Sequence, residues 1–174
     1  MGDTLTNLAT KLALTKPGEG ELVDLGGLGV HFKILGEQTN GSIAVVEHPM
    51  EARRLVPTHT HGREDELSYV LKGTIGARIG DEITLVEAGS YLFKPRGVQH
   101  TFWNPTDEPA LLLEMIVPAG FDVYFAELAK FFANGGVPGS PEHQALSEPY
   151  GLEVSADWTA ELKQKYGLKL LGER

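Results

Sequence analysis

The chain has 174 residues, 41% of them hydrophobic, a formal net charge of −9 and no cysteine. That length holds one domain with a sizeable core, and the missing cysteines exclude a disulfide framework, a thiolate metal site and a cysteine nucleophile. The acidic balance repels phosphate backbones, so no nucleic acid is expected as a partner. No apolar run approaches the roughly eighteen residues of a membrane helix, so no membrane is expected either.

Residues 1–28 read as an N-terminal arm. Met1 to Thr10 hold Asp3 and no long apolar run, unlike a secretory signal. Met1-Gly2-Asp3-Thr4-Leu5-Thr6 fits the loose myristoylation pattern, but no basic segment follows to add a second anchor, and the match is read as chance. The cytoplasm is the expected compartment.

Residues 29–119 read as a β-domain. Short β-branched and aromatic runs predict strands at 30–35, 42–47, 54–58, 66–72, 74–79, 82–86, 91–94, 99–103 and 110–117. Asn40-Gly41 and Gly80-Asp81 supply residues that accept positive φ, as tight hairpins require. Regular strand spacing without intervening helices points to an antiparallel sandwich, jelly roll or barrel. Residues 120–174 read as a helical extension packed on that domain, with helices predicted over 121–134, 141–147 and 156–166. The first carries apolar residues at helical spacing and stops at Gly135-Gly136. It either caps the mouth of a barrel or packs on its outside. Leu146 to Thr159 faintly matches a helix-turn-helix, and Pro149 and the scarcity of basic residues mark that as coincidence.

The chemistry sits in two blocks. The first is His59-Thr60-His61 followed by Glu66 and Gly73; the second is Gly89, Pro95-Arg96-Gly97, His100 and Asn104. Residues i and i+2 of a strand share a face, so His59 and His61 present two nitrogens to one ion. The polar loop Gly62-Arg63-Glu64-Asp65 returns the chain, so that Glu66 stands beside them, and Glu64 and Asp65 read as solvated loop acids. Pro95 and Gly97 set a turn after which His100 re-enters, with Phe102 on the same face as an apolar wall. Three imidazoles and one carboxylate suit a divalent transition metal that keeps coordination positions open.

These blocks resemble the two motifs of the cupin superfamily, G-x5-H-x-H-x3,4-E-x6-G and G-x5-P-x-G-x2-H-x3-N. The one departure is Arg53, which stands where the first motif has its leading turn glycine. The resemblance implies a double-stranded β-helix, or jelly-roll, cupin barrel with short C-terminal helices, commonly a homodimer. Carried over, His59, His61, Glu66 and His100 are the ligands of one divalent ion (iron, nickel, manganese, zinc, cobalt or copper), while Asn104 and the glycines are structural.

Other residues are expected near the site. Phe93 and Phe102 are expected in a substrate pocket, with Trp103 as pocket or core. Glu114 interrupts an apolar run and is expected either in the same pocket, as partner of a ligand histidine, or paired with Arg78 or Arg96 elsewhere. His31, His48 and His143 lack partners at ligand spacing and receive no role. A metal with free positions lowers the pKa of a bound hydroxyl, and Glu66 is the expected proton acceptor. The single barrel with a helical tail resembles the quercetin-dioxygenase-like group. That likeness implies a metal-dependent dioxygenase of a small enolic or phenolic compound. The alternatives are an isomerase or lyase that uses the metal as a Lewis acid, or a non-catalytic ligand-binding cupin.

Overall fold

The computed structural model describes residues 12–173; the readings made on Met1 to Thr10 lie outside the described residues. In chain order the elements are β1 (Leu22–Asp24), β2 (Gly29–Ile34), β3 (Ala44–Met50), β4 (Arg54–Leu55), β5 (Thr58–His61), β6 (Asp65–Lys72), β7 (Thr74–Ile79), β8 (Glu82–Glu87) and β9 (Tyr91–Lys94). They continue with β10 (His100–Trp103), β11 (Ala110–Val117), α1 (Phe121–Ala133), α2 (Pro141–Ser147), β12 (Leu152–Ser155), α3 (Thr159–Tyr166) and β13 (Lys169–Leu170).

The strands form two sheets. One runs β1-β2-β3-β11-β6-β9; the other runs β12-β5-β10-β4-β13, with β7 also paired to β10 and β8 to β7. All pairs except β13 with β4 are antiparallel. This is a jelly-roll β-barrel with short C-terminal helices. The alternation along β6 and β11 shows which face is inside: Glu66, Ser68 and Val70, and Ala110, Leu112, Glu114 and Ile116, are all buried. Apolar members of that set meet Val30, Ala44, Val46 and Ile75 in the main core. Fully burying one such side chain contributes about 1.5–3 kcal/mol.

Several local outcomes follow from single residues. The strand expected at 54–58 is two, β4 and β5, because Pro57 between them has no N–H for the ladder. That break starts β5 at Thr58 and places both His59 and His61 inside it. Gly80-Asp81 forms the expected two-residue loop, with Ile79 opposite Glu82. Asn40 and Gly41 do take positive φ, at 54° and 78°. They do so at the end of a short 3-10 turn (Gly36–Thr39), not in a tight hairpin. Arg53, in place of the motif glycine, has φ 58°. The left-handed region costs a residue with a side chain about 1 kcal/mol relative to glycine. Its guanidinium answers with paired bonds to Asp107 at 2.9 and 3.0 Å and one to the Tyr166 carbonyl at 3.2 Å.

The extension at 120–174 is only partly helical. β12 adds to the sheet edge at β5, with Val154 opposite His59, and β13 runs parallel to β4. β12 also takes the place of the second helix in the helix-turn-helix reading, and the last helix starts at Thr159 instead of residue 156. The arm likewise joins the fold through β1. α3 covers the outer face of the second sheet, where Leu55, Trp103, Leu162 and Leu168 form a separate small core. Trp103 therefore belongs to that core and not to the pocket. It lies opposite Gly76, where a Cβ would come within 2.1 Å of the indole. No helix among the described residues is long and apolar enough to cross a membrane.

Candidate metal centre

The four expected ligands come from both sheets. His59 and His61 (β5) and His100 (β10) stand on one wall, and Glu66 (β6) stands on the other. All four are buried, and one ligand atom from each lies within 4.8 Å of all the others. His100 is the register partner of His59 across the β5–β10 ladder, which brings their rings to 4.5 Å. The two blocks, distant in sequence, meet because these two short strands pair.

Two of the three imidazoles are oriented by a backbone carbonyl behind them. Nδ1 of His59 donates to the Pro57 carbonyl at 2.7 Å, and Nδ1 of His100 donates to the Val98 carbonyl at 2.9 Å. With the proton on Nδ1, each Nε2 keeps its lone pair for the site. His61 differs: both its ring nitrogens lack a hydrogen-bond partner among the described residues. Its Nδ1 faces Glu64 Oε2 at 3.5 Å and its Nε2 faces Glu66 Oε1 at 3.4 Å. Unsatisfied buried nitrogens are rare and costly, and an ion in front of Nε2 would satisfy one of them. The donor set and these orphaned atoms fit a divalent transition ion. The ligands would be His59, His61, Glu66 and His100.

Glu64 corrects an expectation. It is 5% exposed, not a solvated loop acid, because the chain folds it back behind His61. Asp65 does stay nearer the surface, where it accepts from Arg96.

Behind Glu66 lies a second buried cluster. The ammonium of Lys94 (β9), 1% exposed, sits 2.9 Å from Glu66 Oε2 and 3.0 Å from Glu114 Oε2. The Ser68 hydroxyl donates to Glu114. Glu114 lines the cavity, and its partner is Lys94, not a histidine or arginine. Arg78 instead lies over Trp158 and bonds Glu161. Burial pushes the Glu66 carboxyl up, but Lys94, then His61 and His100, outweigh it and hold the group well below the usual carboxylate range. Burial pushes Glu114 up to about 7, against the opposing pull of Lys94. Burial also lowers the His59 pKa, with His100 and His61 adding to it, so this imidazole stays neutral. An ionised carboxylate and a neutral imidazole are the metal-binding forms.

The site opens onto a cavity of about 60 Å³ inside the barrel. α1 closes it. Phe121 packs edge-on to His61 at 4.3 Å, and Tyr124, Phe125 and Leu128 continue the lining. Asp122 anchors the start of α1 by accepting from the backbone N–H of Gly36 and Gly120, each at 3.0 Å. Tyr124 ties α1 to α2 through His143 Nε2 and Ser147, both at 2.9 Å. Phe102 lines the cavity. Phe93 does not: it is 56% exposed on the outer face of the first sheet. Lys94 takes the inward position of β9, so alternation turns Phe93 out.

Sequence reasoning missed His48 and His143, both buried in the cavity wall. Nδ1 of His48 donates to the Gly29 carbonyl at 2.9 Å, and burial lowers its pKa to about 4. Asn104 is structural as expected, donating to the carbonyls of Glu51 and Glu108 and accepting from Thr106.

Residues 48–116 match the family model for the Cupin domain. Solved structures show the same fold. KdgF from Halomonas sp. shares 16% identity at a TM-score of 0.58, over 65% of this chain and 99% of that one. An RmlC-like cupin from Shewanella frigidimarina shares 22% at 0.56, over 65% and 96%. A predicted oxalate decarboxylase from Thermotoga maritima shares 18% at 0.55, over 62% and 99%. No curated protein matches the sequence.

Proposed function

We propose that this chain is a metal-dependent oxidoreductase of the dioxygenase type, acting on a small enolic compound. The observation that carries this reading is the pairing of a three-histidine, one-carboxylate cluster with a small, mostly apolar cavity that no lysine or arginine among the described residues lines. Such walls disfavour sugar phosphates and polyanions, which need fixed positive charge. At about 60 Å³ the cavity is below the roughly 150 Å³ that takes a benzene ring. A compact enol or diketone therefore suits it better than a multi-ring phenol.

A bound divalent ion supplies Lewis acidity toward an enolic oxygen. Phe121, Phe102 and Leu128 exclude water and leave the substrate edge facing the imidazoles. Glu66 is the nearest proton acceptor, and its depressed pKa limits it to a hydroxyl already made acidic. The test is oxygen uptake by protein loaded with iron, nickel or manganese, against small diketones and, for contrast, flavonols and catechols. Uptake with diketones that vanishes in His59→Ala supports the reading. Equal turnover without oxygen moves it to the isomerase or lyase class, and ligand binding with no turnover moves it to a binding protein.

We further propose a homodimer. The outer face of the first sheet exposes Leu71, Tyr91, Phe93 and Val117. In a chain of net charge −9 this apolar strip, where Asp65 is neutralised by Arg96, is where two copies can meet with little repulsion. Phe93→Glu should halve the mass seen by analytical ultracentrifugation; an unchanged mass would sink the idea.

A further inference from the structure

We propose that Lys94 is a positioning residue of the metal centre: it holds Glu66 Oε2, competes with an ion for that oxygen, and so weakens the grip of the site. This rests on the metal-binding reading of His59, His61, Glu66 and His100.

The arrangement is built from both sides. Lys94 is the register partner of Glu66 across the β6–β9 ladder. Its ammonium is shared between Glu66 Oε2 at 2.9 Å and Glu114 Oε2 at 3.0 Å. Ser68 fixes Glu114 from the other side at 3.0 and 3.1 Å. The Phe102 ring lies 4.9 Å from the ammonium and closes the space above it. Lys94 is absent from the cavity wall, so it does not touch a guest; its reach to the site is through Glu66. Both oxygens of Glu66 face ligand histidines, Oε1 at 3.4 Å from His61 Nε2 and Oε2 at 3.3 Å from His100 Nε2, but only Oε2 also carries the ammonium. An ammonium on one oxygen of a ligand competes for its lone pairs and repels a second cation nearby. Without it, the carboxylate has both oxygens to offer.

The experiment titrates apo protein with Co²⁺ by calorimetry and records the visible spectrum of the bound ion. It compares the wild type, Lys94→Met and the double variant Lys94→Met, Glu114→Gln. The double variant removes both charges together, so it covers the case in which the single variant, with Glu114 left unpaired, does not fold. Binding about tenfold tighter, the lower end of the effect expected of groups behind a ligand, supports the proposal. It should come with weaker visible bands as the coordination number rises. Unchanged or looser binding in a variant with native circular dichroism overturns it. No binding by the wild type overturns the metal reading itself, a result distinct from failure of the lysine role.

Discussion

The two walls of the barrel meet at the same site but are held in different ways. On the histidine wall, His59 and His100 are oriented by carbonyls two residues back in their own chain, Pro57 and Val98. On the carboxylate wall, Glu66 is held by Lys94, 28 positions on, while Lys94 leans on Glu114, and Glu114 on Ser68. The first wall is local and mostly uncharged. The second is a buried network whose members fail together. The comparison teaches that one cluster can be held by local backbone on one sheet and by a distant charge network on the other.

Four changes test that division, beginning with the largest effect. His100→Ala should abolish Co²⁺ binding in calorimetry and leave the barrel folded, because it removes a ligand without unpairing a charge. Glu114→Leu should cost about 3–5 kcal/mol in urea unfolding, the range for breaking a buried ion pair, since Lys94 then has Glu66 alone. A cost near zero would mean that the network does not hold this wall.

His48, on β3 beside Glu114's strand, gives a pH test. Its folded pKa, about 4, lies below the unfolded 6.5, so the unfolded chain takes up the proton first as pH falls. Stability is thus complete above pH 6.5 and declines toward pH 4, by up to about 3 kcal/mol. Melting curves for His48→Asn, which keeps a donor for the Gly29 carbonyl, should show a shallower decline. Glu64→Gln, the smallest change, should weaken Co²⁺ binding about tenfold with no loss of fold, by relaxing the orientation of His61. Equal affinity would mean that the 3.5 Å approach of Glu64 does not orient the ring.

Much of the strand order and all four members of the quartet were legible because they depend on period-two alternation and on residues that break it. Glu64 was not: a run of polar loop residues looks solvated unless the fold supplies something to turn back against, here His61. Phe93 was assigned inward on the rule that apolar residues face the core. Lys94 reverses that phase, and a lysine is placed inside only when carboxylates await it from β6 and β11, strands far away in sequence. β12 and β13 were missed because short edge strands gain their stability from the partner strand and not from their own pattern.

The sequence by itself determined which atoms can bind an ion, since HxH on one strand, a carboxylate on the next and a histidine after a proline turn leave few other arrangements. Only the tertiary structure decided what surrounds them: that α1 closes the cavity, that Lys94 occupies one oxygen of Glu66, and that the room left is small. Ligand spacing is a property of neighbouring backbone, read along one strand. Burial, pairing and volume come from side chains that meet only when two sheets and a helix close on one another.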